Sequence, residues 1–393
     1  MSWREIGEAR LDEPVPDALT LRAPSEAWPH VSGGAAGNGR VALELGYTRG
    51  LLWTCELPEG PPVLELLALG DRVLALRTPA RDRRQRVELI DGEGRHVRTI
   101  EGLCGDWAID VPREMLVGRT TDAELGAWSL RDPQARPILV FNRLGGREVD
   151  ALRFVDDLLI ALTHEPRTLG GPPSDVMIDV VRIPSYGDLS RWRTLRGVTR
   201  VAERITDQID RAVIGLDPAG VILATEHELW WGDWRLRQRG RRTLEAATVP
   251  LRSCPRDDGS GWLLAEHEGR TQLWQVVVGK RIAAHLLDAG LADAELLVGP
   301  DDGVVVPGST QVASFDPEGA ERWSVAREGD PTGLIDEHGI ALFSDAGSLI
   351  SMDSDGARAT VWIAPESIAR LGPLAATNER LWVGADRLVF GLR

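Results

Sequence analysis

Three short stretches set histidine beside carboxylates: His164-Glu165, Glu226-His227-Glu228 and Glu266-His267-Glu268. Imidazole and carboxylate both ligate metal ions, so the first chemistry to weigh is a metal site. Spacing decides against it. A metalloprotease H-E-x-x-H motif needs a second histidine four residues on, where this chain has Thr168, Trp231 and Thr271. If the pairs sit at the tips of successive repeating units that diverge from a common axis, they are also too far apart for one ion with bonds of about 2 Å. The remaining chemistry is polar contact. Polar hairpin tips in water are the plain reading of these residues; the alternative is a surface for a protein partner, with Arg167 in the loop after the first pair.

Two arginine clusters raise a second possibility. In "WRLRQRGRR" from Trp234, Arg235, Arg237 and Arg239 alternate, with Arg241 and Arg242 beyond, while "RDRRQR" from Arg81 gathers four more. Alternation predicts one face of a strand, able to meet phosphate or an acidic partner. The competing reading is a charged outer strand that discourages edge-to-edge association. A row of acids, Asp106, Asp110, Asp210 and Asp293, would serve an enzyme site if innermost strands brought them together.

The elements that must carry these residues repeat. Short aliphatic runs start at Arg40, Arg72, Met115, Leu158, Val221, Trp262, Val304, Ile340 and Leu381. They recur about every 42 residues, and short strands at that period mark a β-propeller of four-stranded antiparallel meanders. Punctuation agrees. "LDPAG", "PDDG" and "DEHG" at 216, 300 and 336 predict hairpins between first and second strands. Asp-x-x-Gly at Asp91/Gly94, Asp316/Gly319 and Asp353/Gly356 predicts tight turns after the third. The histidine pairs then fall between second and third strands. Of the 14 tryptophans, Trp128, Trp274, Trp323, Trp362 and Trp382 fall in or just after strands, where packing between blades would bury them.

The expectation is an all-β chain, one propeller domain over residues 1–393, with about eight blades and nine as the alternative. "SWREIGEARL" near the N-terminus would supply the strand that closes the last blade. Residues 28–58 form an incomplete unit. Two stretches, 198–209 and 365–372, read as helical caps between blades, and 163–175 as a Pro/Gly-rich insertion between a second and a third strand.

"SFDPEGAERW", "SMDSDGARATVW" and the closing "PLAATNERLWVGADRLVFGLR" resemble the quinoprotein-like (PQQ-like) propeller repeats, which end a strand in an Asp-x-x-Gly turn and follow it with tryptophan. The resemblance spans most of the chain and is sharpest after residue 300. It does not extend to WD40 repeats, since no tryptophan here precedes an aspartate, nor to kelch, since Gly-Gly occurs only at 33, 145 and 170. It implies the fold without the cofactor, because the family's enzymes are exported and carry an adjacent cysteine pair. No cofactor and no metal are expected. With cytoplasmic start and degenerate blades, the chain also resembles the propeller subunits encoded beside MoxR-type ATPases and von Willebrand A domains in bacterial ternary systems.

Composition sets the outer bounds. Net charge of −15 argues against general nucleic-acid binding. No apolar run approaches the roughly 18 residues of a membrane span, and the charged start lacks the apolar segment of a secretory signal. Three separated cysteines suggest neither a disulfide framework nor a zinc site. "GNGRVA" at 37–42 leads into strand alternation, so it lacks the helix a dinucleotide fingerprint needs. The expectation is a cytoplasmic, non-enzymatic scaffold with a protein partner. The rival is an enzyme, or a carbohydrate or small-molecule binder, with its site at the central channel.

Overall fold

The computed structural model describes residues 27–28, 39–77, 85–120, 125–132, 138–141, 148–155, 158–164, 174–182, 199–209, 212–217, 220–226, 228–234, 236–244, 248–255, 260–277, 283–291 and 294–393. The chain is an all-β propeller of eight four-stranded antiparallel blades. It divides into two compact units, one built on 104–250 and the other on 22–103 with 251–393.

The first unit holds three blades. Blade 2 opens with the second half of the long strand His96–Asp110 and continues through Met115–Thr120, Leu125–Ser129 and Ile138–Phe141. Blade 3 is Glu148–Val155, Leu158–His164, Ser174–Arg182 and Thr199–Ile209, and blade 4 is Ala212–Asp217, Gly220–Thr225, Glu228–Asp233 and Gln238–Thr243. Alternate residues of facing blades interlock, so Ala108, Val117 and Ala127 of blade 2 share one cluster with Leu152, Leu159 and Ala161 of blade 3.

The second unit holds five. Blade 1 is Val63–Leu69, Arg72–Arg77, Gln85–Ile90 and the first half of His96–Asp110. Blade 5 runs from Thr248–Pro255 through Ser260–His267 and Arg270–Val277 to Ala283–Leu286. Blade 6 comprises Leu297–Val298, Val304–Pro307, Gln311–Phe315 and Glu321–Ala326, and blade 7 comprises Gly333–Asp336, Ala341–Asp345, Ser348–Met352 and Arg358–Ile363. Blade 8 has three consecutive strands, Leu374–Ala376, Leu381–Ala385 and Leu388–Leu392; its fourth is Leu51–Glu56, paired antiparallel with Leu388–Leu392. The closing strand is therefore Leu51–Glu56 and not the expected "SWREIGEARL". "SWREIGEARL" lies outside the described residues.

Eight of the nine aliphatic runs are the second strands of the eight blades. The ninth, at Arg40, explains the short first spacing. Arg40–Val41 adds in parallel to the innermost strand of blade 7, and Ala27–Trp28 pairs with the innermost strand of blade 1. The Arg40 guanidinium donates to the carbonyls of Val298 and Gly299, the Leu45 N–H donates to the buried Asp336 carboxylate at 2.9 Å, and Val41, Leu43 and Leu45 are buried. The incomplete unit is thus a strap along inner strands followed by the closing strand.

Neither expected helix forms. Thr199–Ile209 is the outer strand of blade 3, in register with Ser174–Arg182. Its β-branched Thr199, Val201, Ile205, Thr206 and Ile209 suit a pleated surface, and cross-strand pairing overrides the weak helical period. Residues 365–372 make a turn, closed by the Ile368 N–H on the Pro365 carbonyl at 2.8 Å.

The Asp-x-x-Gly turns join third to fourth strands. Oδ1 of Asp91, Asp316 and Asp353 accepts the N–H of Arg95, Ala320 and Ala357 at 2.9, 2.7 and 2.8 Å, and Gly94, Gly319 and Gly356 have φ of 80, 88 and 82°. A side chain at those glycines would also collide with the neighbouring blade. A Cβ on Gly94 would lie 2.6 Å from the Trp53 indole, and one on Gly356 would lie 3.2 Å from Trp323; on Gly319 it would strike the His285 ring. Trp53, His285 and Trp323 all stand on the outer strand of the preceding blade. Trp323, which follows the blade 6 turn, therefore has a packing role: it receives the turn of blade 7.

Candidate functional site

An antiparallel meander fixes which connections share a face. First-to-second and third-to-fourth hairpins lie at one end of each blade; second-to-third hairpins and the crossovers to the next blade lie at the other. Of the described residues in these stretches, His164, Glu226, Glu228, Glu266, His267 and Glu268 lie at this second end.

His164 ends the second strand of blade 3, opposite Glu148 and Val176. Glu165, Arg167 and the rest of the 163–175 insertion up to residue 173 lie outside the described residues, as does His227. The strands flanking that insertion are the second and third of the blade, as expected.

In blade 4, Glu226 is half-buried in the turn, but Glu228 is only 5% exposed. Its N–H donates to Thr225 Oγ1 at 3.1 Å, and its carboxylate takes the Arg241 guanidinium from the outer strand. Glu228 is a structural anchor rather than a free tip. The same contact corrects the arginine row: the third-to-fourth turn falls at 234–237, with Leu236 at φ 56°, so Arg235 to Arg239 do not share a strand face. Arg239 and Arg241 do, on the outer strand Gln238–Thr243, and Arg235 lies outside the described residues.

Blade 5 presents the most exposed tip. Its second strand is buried from Ser260 to Ala265 and then emerges at Glu266. His267 stacks edge-on against Trp274, with ring centroids 6.1 Å apart. Glu268 and Gly269, at φ 51 and 73°, form the left-handed pair of a two-residue hairpin, which holds both carboxylates on a rigid base. Among the described residues no group of three His, Cys, Asp or Glu could hold a metal ion.

The inner-strand acids are engaged by the fold. Asp106 Oδ2 accepts the Leu152 N–H and Arg153 Nη1, both at 2.9 Å, clipping blade 2 to blade 3. Asp110 is fully buried and pairs with Arg113 at 3.0 Å. Asp210 and Asp293 lie outside the described residues.

The sequence reading missed a cleft of about 500 Å³ on the crossover end of blade 8. The crossover from blade 7 forms one wall with Ser367, Ile368, Ala369 and Arg370. The tight hairpin Ala385–Leu388 forms the other, and Glu56 at the end of the closing strand completes it. Arg387 Nη2 lies 3.3 Å from Glu56 Oε1, and Arg370 Nη2 donates to the Gly329 carbonyl at 2.7 Å. One signal was available: the turn "GADRLV" carries Asp386-Arg387 where blade 5 has Glu-Gly.

A buried guanidinium stands behind this cleft. Arg77 ends the second strand of blade 1 and is 1% exposed. Its Nε donates to the Pro61 carbonyl, and Nη1 donates to the Pro58 carbonyl at 3.2 Å and lies 3.7 Å from Glu88. Glu88 is shared with His96 at 2.8 Å and with the Thr99 hydroxyl at 2.6 Å. Burial lowers the Arg77 pKa most; Glu88 works against this, and the positive charges of Arg387 and Arg86 lower it further. Among the described residues its Nη2 has no hydrogen-bond partner. Arg327, also buried, donates to the carbonyls of Pro307, Gly308, Asp330 and Ser344.

No family model matches the chain, and no curated protein matches it. Among solved structures, it is similar to the computationally designed Ika8 protein at 13% identity and TM-score 0.56, covering 87% of this chain and 98% of that one. Sqt1 from Chaetomium thermophilum matches at 13% identity and TM-score 0.50, over 90% and 98%. Virginiamycin B lyase from Staphylococcus aureus matches at 10% identity and TM-score 0.42, over 86% and 98%. At these identities the likeness is one of fold alone.

Proposed function

We propose that this protein is a non-enzymatic, intracellular scaffold, a single propeller domain that presents the crossover end of its blades to a protein partner. The observation that supports it is how charge is distributed. Described charged groups that enter the core, such as Asp106, Asp110, Glu228 and Arg327, are taken up by ion pairs and backbone groups. Exposed Glu266 and Glu268 instead stand on a tight hairpin above a buried strand. A rigid core with charged tips on short loops suits recognition of a macromolecular surface. MoxR-type ATPases and von Willebrand A proteins are the partners this reading puts first, on the strength of the sequence resemblance.

The test is an affinity capture from native lysate with mass spectrometry, comparing wild type with a variant lacking residues 166–174. A stoichiometric partner held by wild type and lost on deletion is the expected result. Capture that is absent, or unchanged by the deletion, removes this face as the binding surface.

A further inference from the structure

Four exposed arginines, Arg237, Arg239, Arg241 and Arg242, gather at the outer edge of blade 4, in a chain whose net charge is −15. The acids beside them are fewer. The third strand, Glu228–Asp233, has an acid at each end, with buried Leu229 and Trp230 between. Glu228 holds Arg241, and Asp233 Oδ1 accepts the Arg237 N–H at 3.0 Å. Among the described residues no acid pairs with the guanidinium of Arg237 or Arg239. Two other outer strands match their arginines within the chain: Asp301 takes Arg322 in blade 6, and Asp345 takes Arg358 in blade 7. A surplus of unmatched cations therefore distinguishes the blade 4 edge from those two.

The backbone decides which anion suits it. Gln238–Thr243 ends its sheet, so every second N–H and carbonyl along it faces away from the blade. Trp231 lies opposite Gly240 and Gly232 opposite Gln238, which makes Arg239 the extra residue of a β-bulge; from Gly240 to Thr243 the register is regular. That leaves a straight edge beside the free guanidiniums. A phosphate chain would meet the arginines and leave the backbone groups unused, whereas a polypeptide uses both. A second copy of the same strand would set arginine against arginine. We propose that an acidic segment of a protein partner adds to this edge as a fifth strand, its carboxylates lying against Arg237 and Arg239. Guanidinium favours carboxylate through paired N–H donors, and an amide of the same shape is a weak substitute. This edge is distinct from the crossover-end hairpins, so the proposal goes beyond the scaffold reading.

The probe is a fluorescein-labelled octapeptide of alternating Thr and Glu, followed by anisotropy. Saturable binding to wild type is expected, weakened about tenfold or more for a Thr/Gln peptide and for the Arg237→Gln/Arg239→Gln double variant. Both side chains are exposed, and an unchanged thermal melt of that variant confirms its fold. A Thr/Glu peptide N-methylated at alternate residues keeps its charge but cannot complete the strand pairing, and it should bind at least tenfold more weakly to wild type. No saturable binding, equal affinity for the Gln peptide, indifference to the double substitution, or full affinity of the N-methylated peptide would each overturn the proposal. Displacement of the peptide by oligodeoxythymidylate at equal charge concentration would overturn it in favour of a nucleic-acid ligand. Deletion of residues 166–174 leaves this strand intact, so failure of the lysate capture and failure of the peptide titration are separate results.

Discussion

Single carboxylates close several of the described turns, and Asp91 shows how. Desolvation works to raise its pKa, but the Arg95 N–H, the Arg95 guanidinium and the Glu93 N–H outweigh that and leave it below the usual carboxylate range. A folded-state pKa below the unfolded one gives stability that is present above the unfolded pKa, near 4, and lost as pH falls through the folded value. Asp91→Asn should therefore cost about 1–2 kcal/mol near neutral pH, and the gap to wild type should shrink as the pH of urea melts falls from about 5 to 3. A constant gap would mean that the amide's lost hydrogen bonds, not the charge, carry the effect. Asp301 is depressed in the same manner: desolvation opposes the shift, while Arg322 and the Gly303 N–H prevail.

Between elements, the recurrent contact is a tight turn seated on an aromatic ring of the preceding blade. Gly94 and Gly70 separate its two ingredients. Both have positive φ, but a Cβ on Gly94 meets Trp53 and one on Gly70 meets nothing within 4 Å. Gly70→Ala should cost about 1 kcal/mol from backbone conformation alone, and Gly94→Ala about 2–4 kcal/mol once overpacking is added. Equal losses in denaturant melts would refute the docking role of Trp53. This scale also shows what the sequence discloses. Second strands and Asp-x-x-Gly turns were legible because each is a local pattern of a few residues. The strap at 39–45 was not, since its alternation matches a blade strand and only the long-range bonds to Val298, Gly299 and Asp336 reveal its place. Outer strand 199–209 was misread because its apolar residues satisfy two periods at once. The cleft was hidden for a different reason: Glu56, Arg370 and Arg387 come from three segments that meet only after blade 8 is completed.

For the molecule as a whole, that completion is the long-range tie. Cys55 lies directly opposite Val389 in the closing pair, and both are buried. Val389→Cys offers a covalent version of the tie. Cross-linking positions so distant in sequence should stabilise the oxidised over the reduced form by about 3–5 kcal/mol. Equal melting of the two forms, with the disulfide verified by mass, would show that closure contributes little to stability.

The same pairing fixes an order of events during synthesis. Leu51–Glu56 leaves the ribosome well before its partner Leu388–Leu392, which emerges only after some 330 further residues. At about 5–20 residues per second the early strand waits roughly 15–70 seconds with no mate. Leu51 and Leu52 are exposed even in the finished fold, and Trp53 and Cys55 join them until then. The nascent chain therefore carries an unpaired apolar segment while all of those residues are added, and this is where a ribosome-associated chaperone would act.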